Sequence, residues 1–163
     1  MTQSDQFIKR DRMRYTKDGF SSGLVLLAIV FNVLYFISIY STDVGSYYYT
    51  WTIGASVIYN LLFLLIAFLT SQGVKNRKTG YSLTLLVIGL LQVARVFYLP
   101  AKAHAATVEI GKETLQVMTD GQYTYVVICL VASGVCCVVA AISSYISNKQ
   151  LAQHMRQLEE KNA

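Results

Sequence analysis

The 163 residues are 54% hydrophobic and only 14% charged, with a formal net charge of +5 at pH 7. A soluble domain of that size would lack the polar surface that water demands, so the composition excludes a water-soluble globular protein and makes lipid the solvent. The positive balance then belongs to a membrane face, where basic residues attract anionic lipid, and no nucleic-acid partner is needed to explain it.

Four stretches free of Asp, Glu, Lys and Arg organise the chain: 19–42, 44–74, 79–94 and 121–148. A hydrocarbon core of roughly 30 Å takes about 20 helical residues to cross. The reading is an all-α integral membrane protein, a single domain over residues 1–163, with transmembrane helices at about 20–41, 50–71, 81–99 and 123–146.

Residues 6–20 place Phe7, Ile8, Met13, Tyr15 and Phe20 among five basic residues, as in an interfacial helix of poor periodicity. The first span follows, dense in Leu, Val, Ile and Phe from Leu24 to Ile39. It is longer than the apolar region of a cleaved signal peptide and lacks a small-residue cleavage site, so it reads as a retained anchor. The second span is apolar on every side from Leu61 to Leu69, as expected where lipid and neighbouring helices share the surface. Asn32 and Asn60 sit inside these two spans, where an amide can hydrogen-bond across helices.

The loop from Gly73 to Thr79 is short enough to make spans two and three an antiparallel pair, and Gly73 suits the helix C-cap. The third span runs from Tyr81 to Leu99 with two strongly polar residues, Gln92 and Arg95, and Pro100 is predicted to end it. A guanidinium at membrane depth is costly and usually faces a bundle interior or a water-filled cavity. One reading of Arg95 is therefore a solute-contacting or ion-pairing site, with Gln92 and Tyr98 on its face and Asp43 as a conceivable partner. The other, better supported, starts from the 17 residues separating it from Lys78. They rise about 25 Å, which brings the side chain near the outer interface and within snorkelling reach.

Between spans three and four, residues 106–118 alternate apolar and polar side chains around Gly111, which predicts a small external β-hairpin with Val108, Ile110, Leu115 and Val117 on its apolar face. The fourth span carries two rows of small residues at four-residue spacing: Ala132, Cys136, Ala140 and Ser144, with Ser133, Cys137 and Ala141 beside them. Such rows let helix backbones approach closely. They serve packing against the chain's own helices or against another subunit, and the pattern does not choose. From 147 to about 160 strong helix formers continue, with Leu151, Met155 and Leu158 on one stripe, so a cytoplasmic helical tail is predicted.

Eleven of the 14 Lys and Arg residues fall in the N-terminal tail, the loop at 75–78 and the C-terminal tail, which predicts cytoplasmic termini in a multi-pass plasma-membrane protein. Tyr47, Tyr48, Tyr49 and Trp51 fall at one outer boundary, and Tyr98, Tyr123 and Tyr125 at two others. The three cysteines, Cys129, Cys136 and Cys137, form no C-x-x-C and read as packing residues. His104 and His154 fall on opposite sides and cannot share a metal. No acid, base or nucleophile is positioned by neighbours in the pattern, so the sequence predicts a protein that is not an enzyme and binds no cofactor or metal. It predicts an accessory or scaffolding subunit of a larger membrane complex such as a multi-subunit transporter. Its partners would be membrane lipid and other integral subunits, met through the fourth span, the hairpin or the tail. The alternative is a small homo-oligomeric transporter or channel with Arg95 and Gln92 near the path.

Overall fold

The computed structural model describes residues 17–40, 51–110 and 113–162. Helix α1 is Gly19–Tyr40, α2 is Trp51–Lys75 and α3 is Gly80–Ala94. A 3₁₀ turn at Arg95–Phe97 leads into the short helix α4, Leu99–Ala105. Strands β1, Thr107–Ile110, and β2, Glu113–Gln116, precede α5, Asp120–Asn162. Among the described residues the fold is helical apart from that one short extended pair, which is antiparallel with Val108 opposite Leu115 and Ile110 opposite Glu113.

Among the described residues four segments are long and apolar enough to cross a membrane: Gly19–Tyr40, Gly54–Lys75, Gly80–Ala105 and Asp120–Gln157. Their outward faces carry Ile37, Leu61, Leu65, Leu90 and Ile128 exposed, the apolar exterior that lipid solvates. In cross-section α5 packs along α1 and α3, and α2 closes the square by packing on both of the same helices.

Local chemistry sets the helix ends. Asp18 opens α1: its Oδ1 accepts the Ser21 N–H at 3.0 Å and its Oδ2 accepts the Ser21 hydroxyl at 2.7 Å. That satisfies one of the orphan donors of the first turn. The Asp18 N–H donates in turn to the Lys75 carbonyl at 3.1 Å, tying the start of α1 to the end of α2.

Gly73 is not the cap of α2. It lies inside the helix, and its carbonyl accepts the Lys78 N–H at 3.1 Å while the Val74 carbonyl accepts the Arg77 N–H at 2.9 Å. This is a Schellman closure in which Arg77, at φ 53°, takes the left-handed position usually given to glycine. Gly73 is needed for another reason: a Cβ there would run into the Tyr81 ring.

The third span also differs from expectation. Its α-helix stops at Ala94, and Pro100 sits in the first turn of α4 instead of ending a helix. Proline is tolerated there because that N–H has no intrahelical partner. The departure from regular α-helix therefore begins at Arg95, five residues before the proline. At the other end α2 continues through Lys75, beyond the limit of 71 set by hydropathy, and there the Ser71 hydroxyl donates to the Ser22 carbonyl of α1 at 3.3 Å.

Helices α3 and α5 touch backbone to backbone at two glycines. A Cβ on Gly134 would lie 2.7 Å from the Val93 Cγ2 and 2.9 Å from the Gly89 carbonyl oxygen. A Cβ on Gly89 would lie 3.0 Å from the Cys137 Cβ and from the Gly134 carbonyl oxygen. The small residues predicted to pack mostly line this inward side of α5. Ser133, Cys137, Ala140, Ala141 and Ser144 are buried within the chain, while Ala132 and Cys136 are half-buried.

The core divides into two apolar clusters. One gathers Val25, Ala28, Phe63, Ala67, Leu85 and Cys137. The other gathers Tyr35, Ile39, Val96, Leu99, Met118 and Leu130. Along α1, α3 and α5 the residues between the clusters are Asn32, Gln92 and Ser133, so a polar layer separates two greasy ones.

Candidate functional site

The polar layer is built by one to three side chains from each long helix. Asn32 and Tyr35 come from α1, Ser56, Tyr59 and Asn60 from α2, Gln92 from the end of α3 and Ser133 from α5. Arg95 enters where the 3₁₀ turn begins. Gln92 and Asn32 are 0% exposed, Asn60 2% and Arg95 8%.

Arg95 does not snorkel outward. Its Nη1 donates to the Asn60 Oδ1 at 2.7 Å and its Nη2 to the Ser56 Oγ at 2.9 Å, both on α2. The guanidinium carbon lies 4.6 Å from the centre of the Tyr35 ring and 4.7 Å from that of Tyr59, so aromatic faces from α1 and α2 flank the cation. Arg95 continues the buried stripe of Ser82, Leu85, Ile88 and Gln92, so helical periodicity itself points the side chain into the bundle. Inside hydrocarbon the alternative to these contacts is an unsolvated charge, and cation–π attraction is worth about 2 kcal/mol or more when desolvated.

Gln92 completes the layer across the bundle. Its Nε2 donates to the Asn32 Oδ1 at 2.6 Å and approaches the Ser133 Oγ at 3.5 Å, while the Ser133 hydroxyl donates to the Ala28 carbonyl at 2.9 Å. Asn60 also donates from Nδ2 to the Ser56 carbonyl one turn back, at 3.0 Å, which orients its oxygen toward Arg95. The structure thus brings together all four polar residues singled out in the spans, Asn32, Asn60, Gln92 and Arg95. Two amide atoms in the layer, the Asn32 Nδ2 and the Gln92 Oε1, are buried without a hydrogen-bond partner. Among the described residues Arg95 meets no carboxylate, and Asp43 lies outside them. Tyr98 does not share the face of Arg95: the turn carries it to a half-exposed position where its ring meets Lys102, at 4.7 Å.

Sequence reasoning missed the residues that complete this layer, Ser56, Tyr35 and Tyr59. It also missed a second polar tier, made of serine pairs: Ser22 with Ser71 at 2.9 Å, Ser82 with Ser144 at 2.8 Å and Ser21 with Ser143 at 3.2 Å. Each pair joins two different helices, a recurring use of small hydroxyls in apolar spans. The signal was the position of serines within uncharged stretches, which hydropathy averages away. His104, by contrast, pairs with Asp120 at 2.8 Å on an exposed edge and stacks against Tyr123, 4.4 Å between ring centres. No group of three or more His, Cys, Asp or Glu side chains that could hold a metal occurs among the described residues.

The bundle, its lipid-facing exterior and its buried polar layer define a multi-pass helical membrane protein. No family model, curated protein or solved structure matches the chain.

Proposed function

We propose that the protein is a small non-catalytic integral subunit that binds and stabilises a larger membrane assembly, such as a multi-subunit transporter, with both termini in the cytoplasm of a cell whose plasma membrane it spans. The observation that carries this reading is the length of α5. Its 43 residues extend about 65 Å, twice the depth of a hydrocarbon core. Past the depth of a hydrocarbon core the helix runs on to Asn162: Asn148 is still buried and Leu151 and Met155, four residues apart, are half-buried, while Gln150, Gln153 and Gln157 are exposed. The exposed side of this extension lies beyond what lipid covers and offers a helical surface on which a partner subunit can dock. The inward course of Arg95, Gln92, Asn60 and Asn32 supports the same reading, because these groups bond helices of one chain to each other.

The test is purification in mild detergent of the full chain and of a chain ending at Ser147. The full chain is expected to retain a membrane protein at fixed stoichiometry, and the shortened one to lose it while keeping its helical content. A full chain that purifies alone in active form would refute the proposal.

A second reading, a homo-oligomeric transporter or channel with Arg95 and Gln92 near the path, draws support from a buried cation that meets no carboxylate among the described residues and from the two unpaired amide atoms beside it. Reconstituted flux that disappears in Arg95→Ala would favour it.

A further inference from the structure

One side of α5 stays covered after the helix has passed the ends of its neighbours. Ser144, Asn148, Leu151 and Met155 follow one another at helical spacing, which places them on a single side. Ser144 and Asn148 are buried and Leu151, His154 and Met155 half-buried, while Lys149, Gln153, Arg156 and Gln157, around the rest of the circumference, are exposed. The cover is close: both side-chain amide atoms of Asn148 and the Nε2 of His154 are buried without a hydrogen-bond partner.

The other helices end at a level short of this. Ser21, in the first turn of α1, meets Ser143 at 3.2 Å, and the Arg77 Nη1 after the end of α2 donates to the Ser147 carbonyl at 3.5 Å. The Asp18 N–H donates to the Lys75 carbonyl at 3.1 Å, so the start of α1 and the end of α2 lie side by side there. His154 stands seven residues past Ser147, about 10 Å farther out. Residues 41–50 join the chain at the opposite end of α1, and residues 111–112 join it before the opposite end of α5. Residues 1–16 join it at this end, running straight into Lys17 and Asp18.

We propose that the segment preceding α1, within residues 6–16, docks along the covered side of the α5 extension, so that the two ends of the chain form one arm beyond the bundle. The length suffices, since these residues extend about 16 Å even as a helix, the rise from Ser147 to Leu158. The composition suits the stripe: Ile8, Met13 and Tyr15 offer apolar surface to Leu151 and Met155, and Gln6 and Asp11 offer polar groups to Asn148 and His154. The subunit reading uses the exposed side of the same extension, so either can fail without the other.

Thiol cross-linking of the full-length chain in membrane vesicles tests it, in a background with Cys129, Cys136 and Cys137 replaced by Ala. Met13 and Leu151 stand equally far along the chain from Lys17 and Ser147, and Ile8 and Met155 nearly so. A short bismaleimide is therefore expected to join Met13→Cys to Leu151→Cys and Ile8→Cys to Met155→Cys. Met13→Cys with Gln153→Cys, on the opposite side of the helix, is the control and should react about tenfold less. Mixing isotopically heavy and light chains before the reaction shows, by mass spectrometry of the linked peptides, whether both ends belong to one chain. Deleting residues 2–12 should also speed amide hydrogen exchange over 149–157 about tenfold, because a helix without its cover is marginal in water. That measurement needs no engineered thiol and keeps the test decisive if a cysteine pair fails to fold. Links within one chain at positions 151 and 155 are the expected result. Links between heavy and light chains would give the stripe to a second copy and overturn the proposal. So would links no more frequent than in the Gln153→Cys control, or exchange unchanged by the deletion.

Discussion

The bond from Arg95 to Asn60 should be worth more than an ordinary contact between membrane helices, and a double-mutant cycle measures it. Asn60→Leu removes the oxygen that accepts the Nη1 proton at 2.7 Å and keeps a side chain of similar volume. It leaves a guanidinium N–H unpaired at a site where Arg95 is only 8% exposed. Hydrogen bonds to charged groups contribute about 1.5–3 kcal/mol in soluble proteins, whereas neutral bonds between membrane helices average about 0.6 and reach about 1.7 kcal/mol. A charge-assisted bond in this layer belongs at the upper end of the membrane range, about 1.5 kcal/mol, or roughly tenfold in the unfolding equilibrium. In an Arg95→Met background nothing is left unpaired, so the same Asn60→Leu change should cost less by that amount. The cycle also cancels the local Asn60 bond to Ser56, which both backgrounds lose. Reversible unfolding in mixed detergent and dodecyl sulfate micelles, followed by circular dichroism, gives all four free energies. Additivity within about 0.3 kcal/mol would refute the claim that Arg95 locks α2 to the end of α3.

The glycine crossing makes a second test. Gly134→Ala should destabilise by about 1–3 kcal/mol, because its Cβ meets Val93 and the Gly89 backbone, whereas Gly23→Ala, with nothing within 4 Å, should be neutral or stabilising by up to about 1 kcal/mol. The same unfolding assay separates them, and equal effects would contradict the close approach of α3 and α5. Asp18→Ala removes the acceptor for both Ser21 donors and should cost about 1–2 kcal/mol. A loss below about 0.3 kcal/mol would show that α1 does not depend on this cap.

The spans were legible because an uncharged run of about 20 residues has few other physical explanations. Depth within a span was less legible. Counting residues from Lys78 places Arg95 near an interface, but such a count gives depth and not facing: three residues after the buried Gln92, Arg95 lies on the inward side of the third span and bonds α2. The sequence shows Pro100 as a stop because proline breaks helix interiors, yet the same residue starts α4. Gly73 read as a cap for a similar reason, although its service is to make room for Tyr81. Asn32, Asn60, Gln92 and Arg95 stand out as polar residues among apolar ones. That they meet in one layer follows from helix register and crossing at Gly89 and Gly134, which residue counts do not encode. The serines of the second tier and the tyrosines flanking Arg95 were hidden because both residue types are unremarkable in a membrane span. The interfacial segment at 6–16, the aromatic cluster at 47–49 and the turn at 111–112 lie outside the described residues.

Whether the polar layer is sealed inside one chain or opens onto a water-filled path separates the two functional readings, and thiol accessibility at Ser133 measures it. Ser133 is fully buried and sits between Gln92 and the Ala28 carbonyl. Ser133→Cys, in a background with Cys129, Cys136 and Cys137 replaced by Ala, would be challenged in membrane vesicles with a charged, water-soluble methanethiosulfonate reagent, with exposed Thr79→Cys as the reactive control. A sealed structural layer predicts rapid modification at position 79 and none at 133. Modification at 133 at a comparable rate would contradict the account and make Arg95 part of an aqueous route.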